Sequence, residues 1–389
     1  MRIFLAIFGG FLLSTAASAQ TEDQALVKPV DYLIWTEPQI AQLQQLVDAR
    51  AGEGLGNCSI TNFSQPDSAT DPHRRSRLAT AAANELMRAY LEGCSPASAR
   101  AKWHISSDDR YIDTQQLLLK ALVRNDLVSY FDALRPRNPQ YRALREAYAA
   151  ETDDEKRATL ALNMERWRWM PLVMGDKYLL VNAASFEVTL WEKDKKIRTW
   201  PNIVGKTKSP TPIFSATVSG VILNPWWEIP TSIVAESIGS LVRNHPATAR
   251  RKGYVVQNGR YRQRPGPGNA LGQMKLVMPN PYSIYLHDTP NKNLFAEPVR
   301  TFSHGCIRVG GAIDLAKTLL EGAATVEKVD SILASRETTK LALVRPIPVY
   351  VAYFTAEQAE DGSVGYLPDV YKRDPQQLAR NNLSTRCAA

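Results

Sequence analysis

The chain has 389 residues, of which 44% are hydrophobic and 22% are charged, and its formal net charge is +8. This length suffices for two domains with ample core, and the composition is ordinary for a soluble globular protein. The positive charge favours an acidic partner, such as nucleic acid, a membrane surface or an anionic polymer. Because the sequence has no long Lys/Arg block and no helix-turn-helix-like segment, we expect no nucleic-acid partner.

Residues 1–19 have the pattern of a secretory signal peptide. Arg2 supplies a positive charge, residues 3–13 form an apolar run too short to span a bilayer, and residues 17–19 (Ala-Ser-Ala) form a small-residue cleavage site. We therefore expect a mature periplasmic chain that begins near Gln20, with an uncleaved N-terminal anchor as the alternative. No later segment is long and apolar enough to cross a membrane, so we expect no membrane insertion of the mature chain.

Helical periodicity dominates from Gln20 to about residue 170. A capping-box pattern at residues 36–39 precedes an apolar stripe that consists of Ile40, Leu43, Leu46 and Val47. Further helical patterns cover about residues 77–91 and 114–134, and another begins at residue 152. These stripes predict an α-helical scaffold domain over residues 20–170, in which we find no site chemistry.

Three of the four cysteines lie far from the candidate chemistry described below. Cys58 and Cys94 occupy loop-like positions close to Gly56 and Gly93. Export would place them in an oxidising compartment, where disulfides persist, but the sequence leaves open whether these two are joined. Cys387 lies in the polar C-terminal tail and is expected to be unpaired.

From about residue 176 the hydrophobic period changes from helical to two, as in β-strands. Strand-like runs cover about residues 178–182, 186–191, 216–223, 253–261, 272–278, 283–287 and 348–354, and another ends near residue 207. The Asn258-Gly259 pair is a hairpin signal. We predict a mainly-β domain of sandwich or barrel-like type over residues 171–350, then a C-terminal strand and polar tail over residues 351–389. The predicted fold class is α+β.

Residues 230–270 interrupt the strand pattern. Residues 231–243 have the spacing of an amphipathic helix, and a series of basic residues follows between Arg243 and Arg264. The segment ends in the run Pro265-Gly266-Pro267-Gly268-Asn269. A solvated basic surface is the alternative to the role that the resemblance described below implies for these residues.

The residues with the clearest chemistry lie between positions 285 and 309. His287 ends a strand-like run, and fifteen residues separate it from the sequence Ser303-His304-Gly305-Cys306. A free thiol has a pKa of about 8.5, so a histidine that accepts its proton would leave a nucleophilic thiolate. Gly305 would permit a sharp turn and the close approach of a substrate. The alternatives are a buried cysteine with incidental histidines, or a metal site that no second cysteine or acidic cluster completes.

This motif resembles the active-site signature of the L,D-transpeptidases, the YkuD-type enzymes of bacterial peptidoglycan. Residues 284–290 (Ile-Tyr-Leu-His-Asp-Thr-Pro) and 302–309 are similar to the YcbB-like branch in particular, where arginine stands at the position of Arg308 and many other members have asparagine. The resemblance covers residues 163–389 well and the N-terminal part loosely. It implies a YkuD-type catalytic domain preceded by a helical scaffold domain. It also identifies the insertion at residues 230–270 as a lid over the active site.

The resemblance further implies roles for individual residues. The expected catalytic residues are Cys306 as nucleophile and His287 as its base, assisted by Ser303, His304 and Gly305. The expected substrate-binding residues are Arg308, Tyr285, Trp227 and Asp288. The backbone carbonyl of Asp288 is also expected to orient His287. No metal or organic cofactor is implied.

The expected substrates are peptidoglycan stem peptides. In the implied reaction, the thiolate releases D-Ala from a tetrapeptide stem, and an amine of a neighbouring stem resolves the thioester. The alternatives are an L,D-carboxypeptidase or another hydrolase that uses the same thioester, and a non-catalytic wall-binding protein. Many members of the branch carry a peptidoglycan-binding module before the position of Asn163, but here only residues 140–162 separate Asn163 from Pro139. We therefore expect binding to depend on the catalytic and scaffold domains, with diaminopimelate favoured over L-Ala as the acceptor.

Overall fold

The structure is a computed structural model, and it describes residues 34–64 and 71–378. The predicted signal peptide at residues 1–19 and Cys387 lie outside these residues. In the part that is described, no helix combines the length and the apolar character needed to cross a membrane.

The N-terminal region is helical, as predicted. Its helices are α1 (Glu37–Ala49), α2 (Pro72–Glu92), α3 (Thr114–Arg124), α4 (Leu127–Asp132), α5 (Pro139–Ala150) and α6 (Asp154–Arg168). The predicted capping box at Thr36 and Gln39 is present at the start of α1. The prediction of one helix over residues 114–134 is wrong, because Asn125 adopts a left-handed φ of 52° and ends α3. The Asp126 side chain then accepts a hydrogen bond from the Ser129 N–H and begins α4.

Helices α1–α4 enclose a core of their own. Its fully buried side chains include Leu43, Leu55, Leu86, Met87, Leu118 and Phe131. A disulfide joins Cys58 to Cys94 at the edge of this core, with 5.5 Å between the two Cα atoms. This separation is ordinary for a disulfide, and it answers the question that the sequence left open.

A buried carboxylate connects this core to the later helices. Glu53 is 6% exposed, and its carboxylate accepts hydrogen bonds from Arg135 (2.8 Å) and Arg145 (3.0 Å). The Tyr141 hydroxyl donates to the same carboxylate at 3.3 Å, and Arg168 donates to the Glu53 backbone carbonyl at 2.6 Å. The loop after α1 is thereby fixed to α5 and α6 through charge-assisted hydrogen bonds.

The strands are β1 (Trp103–His104), β2 (Lys177–Asn182), β3 (Glu187–Glu192), β4 (Lys195–Gly205), β5 (Ile213–Leu223), β6 (Trp227–Glu228), β7 (Tyr254–Gln257), β8 (Arg260–Gln263), β9 (Met274–Val277), β10 (Leu286–His287), β11 (Thr301–Ser303), β12 (Ile307–Val309), β13 (Thr339–Ala352), β14 (Ala356–Gln358) and β15 (Val364–Tyr366). Between β12 and β13 the chain forms helices α10 (Ala312–Leu319) and α11 (Val326–Ser335).

The main sheet closes on itself. Its pairing follows the order β5-β13-β2-β3-β4-β12-β10-β9, and β9 then pairs with β5, where Gly220 lies opposite Val277. Strand β13 lies between β2, to which it is parallel, and β5, to which it is antiparallel. The predicted sandwich or barrel-like domain is therefore a closed ring, in which each strand of this path has a neighbour on both sides.

Alternate residues of the ring enter two different cores. Leu179 and Val181 of β2 face the interior, together with side chains from α10 and α11. Tyr178 and Leu180 face outward and pack with Met164 of α6 in a second core. The period of two along β2 thus attaches the ring to the helical region and fills its interior at the same time.

The segment predicted to be a lid is an insertion between β5 and β9. Residues 231–244 form a continuous helical run that includes α7 (Thr231–Ile233), a π-helical turn (Val234–Ile238) and α8 (Gly239–Asn244). Helix α9 (Pro246–Arg251) and the hairpin β7–β8 follow, and the predicted turn at Asn258-Gly259 is confirmed. The buried Asn269 side chain donates to the Pro225 carbonyl at 3.1 Å, which ties the two ends of the lid together.

The chain beyond β13 returns to the helical region. Arg166 of α6 has a side chain that is 1% exposed, and it forms an ion pair with Asp374 at 2.7 Å. Gln140 of α5 accepts a hydrogen bond from the Gln358 N–H at 2.6 Å. These contacts fasten the C-terminal tail across α5 and α6.

Candidate functional site

The candidate site lies on the outer face of the ring, where β10 and β12 run side by side. Leu286 pairs with Ile307, and His287 pairs with Arg308. Leu286 and Ile307 are fully buried in the interior core. Because successive side chains of a strand alternate between faces, His287 and Arg308 lie on the outer face. Cys306 directly precedes β12, packs partly against the interior core, and lies close enough to Arg308 and Lys275 for their charges to act on its thiol.

His287 is buried and held in one orientation. Its Nδ1 lies 2.5 Å from the backbone carbonyl oxygen of Asp288, and the residue is 4% exposed. Because a carbonyl can only accept, Nδ1 carries the proton and Nε2 has a free lone pair. Burial, together with the charges of Arg308 and Lys275, lowers the pKa of His287 to about 4, and the hydrogen bond to the Asp288 carbonyl opposes this shift. The imidazole is therefore neutral near pH 7, in the form that can accept a proton.

Ser303 shapes the turn that carries the thiol. Its Oγ donates to the Cys306 carbonyl at 2.6 Å and accepts the Gly305 N–H at 3.0 Å. The side chain is buried, so both hydrogen bonds are shielded from water. Residues 303–306 are thus closed into a tight loop by one hydroxyl group.

Gly305 meets a conformational requirement of this loop. Its φ of 113° is rarely adopted by residues with a side chain, and a Cβ atom would lie 3.1 Å from Cδ1 of Ile284. Beneath the loop, Thr211 Oγ1 donates to the Gly305 carbonyl at 2.8 Å and accepts the Gly205 N–H at 2.9 Å. Thr211 is fully buried. Its two hydrogen bonds hold the nucleophile loop against the end of β4.

The Cys306 thiol is partly buried and is the free cysteine of the described residues. Its Sγ donates to the Ser283 carbonyl at 3.8 Å. Burial raises the pKa of the thiol, whereas a backbone hydrogen bond from Tyr285 and the charges of Lys275 and Arg308 lower it. The thiol is therefore protonated at rest, and a base must remove its proton before it can react.

Two further predicted residues lie on the same face. Tyr285 is partly buried, and the Ile307 N–H donates to its backbone carbonyl at 2.9 Å, which places it beside the nucleophile loop. Burial lowers the pKa of Arg308, and the nearby thiol acts in the opposite direction. Arg308 forms no salt bridge with any residue that the structure describes. Its charge is available to a ligand.

Asp288 differs from the expected substrate contact. It is 4% exposed, its Oδ2 accepts the Gln273 N–H at 2.9 Å, and its Oδ1 pairs with Lys292. The carboxylate is therefore engaged within the fold, and a ligand would have to displace these partners. The backbone carbonyl, which contacts His287, is the part of Asp288 that reaches the site.

His304 and Trp227 connect the site to the lid. The His304 side chain points away from the nucleophile loop, and its Nε2 lies 2.9 Å from Oε2 of Glu236 in the π-helical turn. Trp227 is partly buried on β6, opposite Gln263 of β8. The structure thus joins Ser303 to the backbone of Cys306 and pairs His287 with Arg308, two residues after the thiol. His304 forms a contact between the loop and the predicted lid.

Sequence reasoning missed three residues of the site. Thr211 and Glu236 are remote from the motif, and nothing in their local pattern indicates the partners that the fold gives them. Lys275 could have been found, because a lysine within an apolar strand is a departure from the pattern. Its Nζ lies 3.4 Å from the centre of the Tyr285 ring.

Comparison with known proteins relates this site to a family. Residues 176–329 match the L,D-transpeptidase catalytic domain, and residues 28–147 match a scaffold domain. A Haemophilus influenzae protein named as an L,D-transpeptidase is 30% identical over 289 residues, which cover 68% of this chain and 58% of that protein. The match therefore spans less than two thirds of the length of this relative.

Solved structures give a weaker likeness. An L,D-transpeptidase from Mycobacterium smegmatis is 13% identical with a TM-score of 0.25, over 46% of this chain and 58% of that one. L,D-transpeptidase 3 from Mycobacterium tuberculosis, in complex with a faropenem-derived adduct, is 15% identical with a TM-score of 0.25, over 45% of this chain and 60% of that one. On the two domain matches and the Haemophilus influenzae relative, the chain contains an L,D-transpeptidase catalytic domain with a scaffold domain before it.

Proposed function

We propose that this protein is a cysteine-dependent L,D-transpeptidase that crosslinks peptidoglycan stem peptides. The observation that carries the proposal is the arrangement on β10 and β12. A neutral imidazole on β10 is oriented by the Asp288 carbonyl, and a thiol held in a tight turn directly precedes the paired strand β12. A base fixed in the correct tautomer beside a nucleophile is the arrangement that covalent catalysis requires.

In the first step His287 Nε2 accepts the proton of the Cys306 thiol. The sulfur attacks the carbonyl carbon between the third residue (diaminopimelate) and the terminal D-Ala of a tetrapeptide stem. The C–N bond breaks, the D-Ala nitrogen takes the proton from His287, and D-Ala leaves as a free amino acid. A thioester between the stem and Cys306 remains.

The developing oxyanion needs a hydrogen-bond donor. The Cys306 N–H is the best candidate, since among the described residues it has no backbone acceptor. The Gly305 N–H, in contrast, already donates to Ser303 Oγ at 3.0 Å. Gly305 would therefore contribute through its backbone conformation, a φ of 113°, and not as the donor.

In the second step an amine of a neighbouring stem attacks the thioester. Its proton passes to His287, the C–S bond breaks, and the thiolate recovers the proton. We favour the amine of diaminopimelate as acceptor, which gives a 3-3 crosslink, over the N-terminal amine of L-Ala, which gives a 1-3 crosslink. Arg308 would bind a stem carboxylate, and Trp227 would line the groove beneath the lid. Such substrates place the protein outside the cytoplasm, in agreement with the predicted signal peptide.

The test is incubation of the purified protein with tetrapeptide muropeptides, followed by mass spectrometry of the products. We expect crosslinked dimers and free D-Ala from the wild type and no turnover from Cys306→Ala, with an unchanged unfolding transition. Tripeptides without dimers would identify a hydrolase, and unchanged substrate would identify a binding protein. Substantial turnover by Cys306→Ala would contradict the covalent mechanism.

Two further measurements refine the assignment. Fragmentation of the dimers locates the new amide, and an L-Ala nitrogen at that bond would overturn our choice of acceptor. Treatment with a carbapenem should raise the intact mass of the wild type and leave the mass of Cys306→Ala unchanged, because a β-lactam carbonyl is an acyl donor for the same thiolate.

A further inference from the structure

Three charged or titratable residues form one row across the site. Lys275 of β9 pairs with His287 of β10, and His287 pairs in turn with Arg308 of β12. Residues that pair directly across neighbouring strands project from the same face. The base is thus flanked by one cation on each side, and only Arg308 belongs to the motif.

Lys275 is a cation that is partly withdrawn from water. Burial lowers its pKa, and interactions with Cys306 and Glu228 oppose this shift. Its Nζ lies 3.4 Å from the centre of the ring of Tyr285, the residue whose backbone lies beside the nucleophile loop. A cation–π contact compensates part of the lost hydration of an ammonium group but does not supply a counter-charge.

No carboxylate satisfies Lys275 within the described chain. Glu228 is the carboxylate whose charge acts on Lys275, but it already pairs with Arg262 at 2.6 Å. Lys292, the other lysine close to the site, pairs with Asp288. Lys275 and Arg308 are therefore two partly buried cations that flank His287, and their strand pairing places no anion between them. Such an arrangement is costly unless a ligand supplies the negative charge.

We propose that Lys275 is a substrate-binding residue that takes a carboxylate of one of the two residues joined by the scissile amide. The inference rests on the proposed function and extends it to a residue outside the motif. A tetrapeptide stem offers two such carboxylates, one on the terminal D-Ala and one on the diaminopimelate side chain. Lys275 binds one of them, and Arg308 is left for the other. With two cations the site selects a doubly anionic stem end, and a neutral amide at either position loses a charge-assisted hydrogen bond.

The test compares three synthetic tetrapeptide stems: the free acid, a stem with a terminal carboxamide, and a stem with the diaminopimelate carboxylate amidated. For each, kcat/KM for release of the terminal residue is measured with the wild type and with Lys275→Met. We expect Lys275→Met to lose on the order of tenfold or more on the free acid, the usual effect of one charge-assisted hydrogen bond. On one amidated stem this loss should disappear, because the wild type has already lost the same interaction there, and that stem identifies the carboxylate.

Two control variants accompany this test. Lys275→Arg keeps the charge and should recover most of the activity on the free acid. Lys340→Met removes an exposed lysine on the same face, two strands away through Ile222 of β5, and should change nothing. An equal loss by Lys275→Met on all three stems would overturn the inference, since it would mean that Lys275 acts on the thiol or the fold. No loss on the free acid would overturn it as well.

A failure of the proposed function can be told apart from a failure of this inference. If the wild type releases no terminal residue from any stem, binding of the same three stems to Cys306→Ser is measured by calorimetry. Adding Lys275→Met should then weaken binding of the free acid and leave one amidated stem unaffected. Equal affinities of the two proteins for the free acid would overturn the assignment of Lys275 on its own.

Discussion

Replacing Thr211 by valine tests whether one buried hydroxyl group holds the nucleophile loop in place. Valine has nearly the same shape as threonine, so the change removes hydrogen bonds without opening a cavity. It leaves the Gly305 carbonyl and the Gly205 N–H, both buried, without their partner at 2.8 and 2.9 Å. An unsatisfied buried group costs roughly 1–3 kcal/mol, so two should lower the free energy of unfolding by roughly 2–6 kcal/mol.

The same substitution should impair the chemistry. Without Thr211 the loop can shift relative to β4, and a displacement of about 1 Å at a reacting group can cost on the order of a hundredfold in rate. Urea unfolding gives the stability, and the rate of mass increase with a carbapenem gives the reactivity of Cys306. Thr211→Ser retains the hydroxyl group and serves as the matched control. If Thr211→Val were as stable and as reactive as Thr211→Ser, the loop would not depend on this hydrogen bond and our reasoning would be refuted.

Three other predictions concern stability and pH. Glu53→Ala leaves Arg135 and Arg145 without their buried partner and should cost about 3–5 kcal/mol in urea unfolding; a loss below 1 kcal/mol would show that water replaces the carboxylate. His287 has its pKa lowered from 6.5 to about 4, so the unfolded chain binds a proton that the folded chain does not between these values. The unfolding free energy should therefore fall by about 3 kcal/mol as the pH drops through this window, and His287→Gln should lack that slope. Cys58→Ser opens a disulfide with a sequence separation of 36 and should cost about 4 kcal/mol, a loss that treatment of the wild type with reductant should reproduce.

The parts of the fold that follow from local pattern were predictable. The strand-like runs at residues 178–182 and 216–223 form β2 and β5, because a period of two places one face of each strand in the core. The lid helix and the Asn258-Gly259 hairpin are likewise set by spacing and turn chemistry. The single helix predicted over residues 114–134 failed because helical periodicity continues through Asn125 even though its backbone turns left-handed there.

Features that depend on contacts between residues far apart in the sequence could not be predicted from local pattern. The closure of the ring through Gly220 and Val277 depends on register between strands far apart in sequence, which no local pattern specifies. In the candidate site, the motif supplied Cys306 and His287 from the chemistry of thiols and imidazoles. Thr211 and Lys275 joined them only through the fold, since one lies beneath the loop and the other on an adjacent strand.

The position of β13 between β2 and β5 determines when the chain can finish folding. Leu179 of β2 pairs with Val349 of β13, so the ring cannot close before β13 has been synthesised. Because this pairing joins residues far apart in the sequence, the contact order of the barrel is high. Helices α1–α4 have a core and a disulfide of their own and can form earlier. The later step is slow, because a long loop must close before the pairing stabilises it. A chain interrupted before residue 339 would carry two open sheet edges, on β2 and β5, and would be prone to aggregate through them.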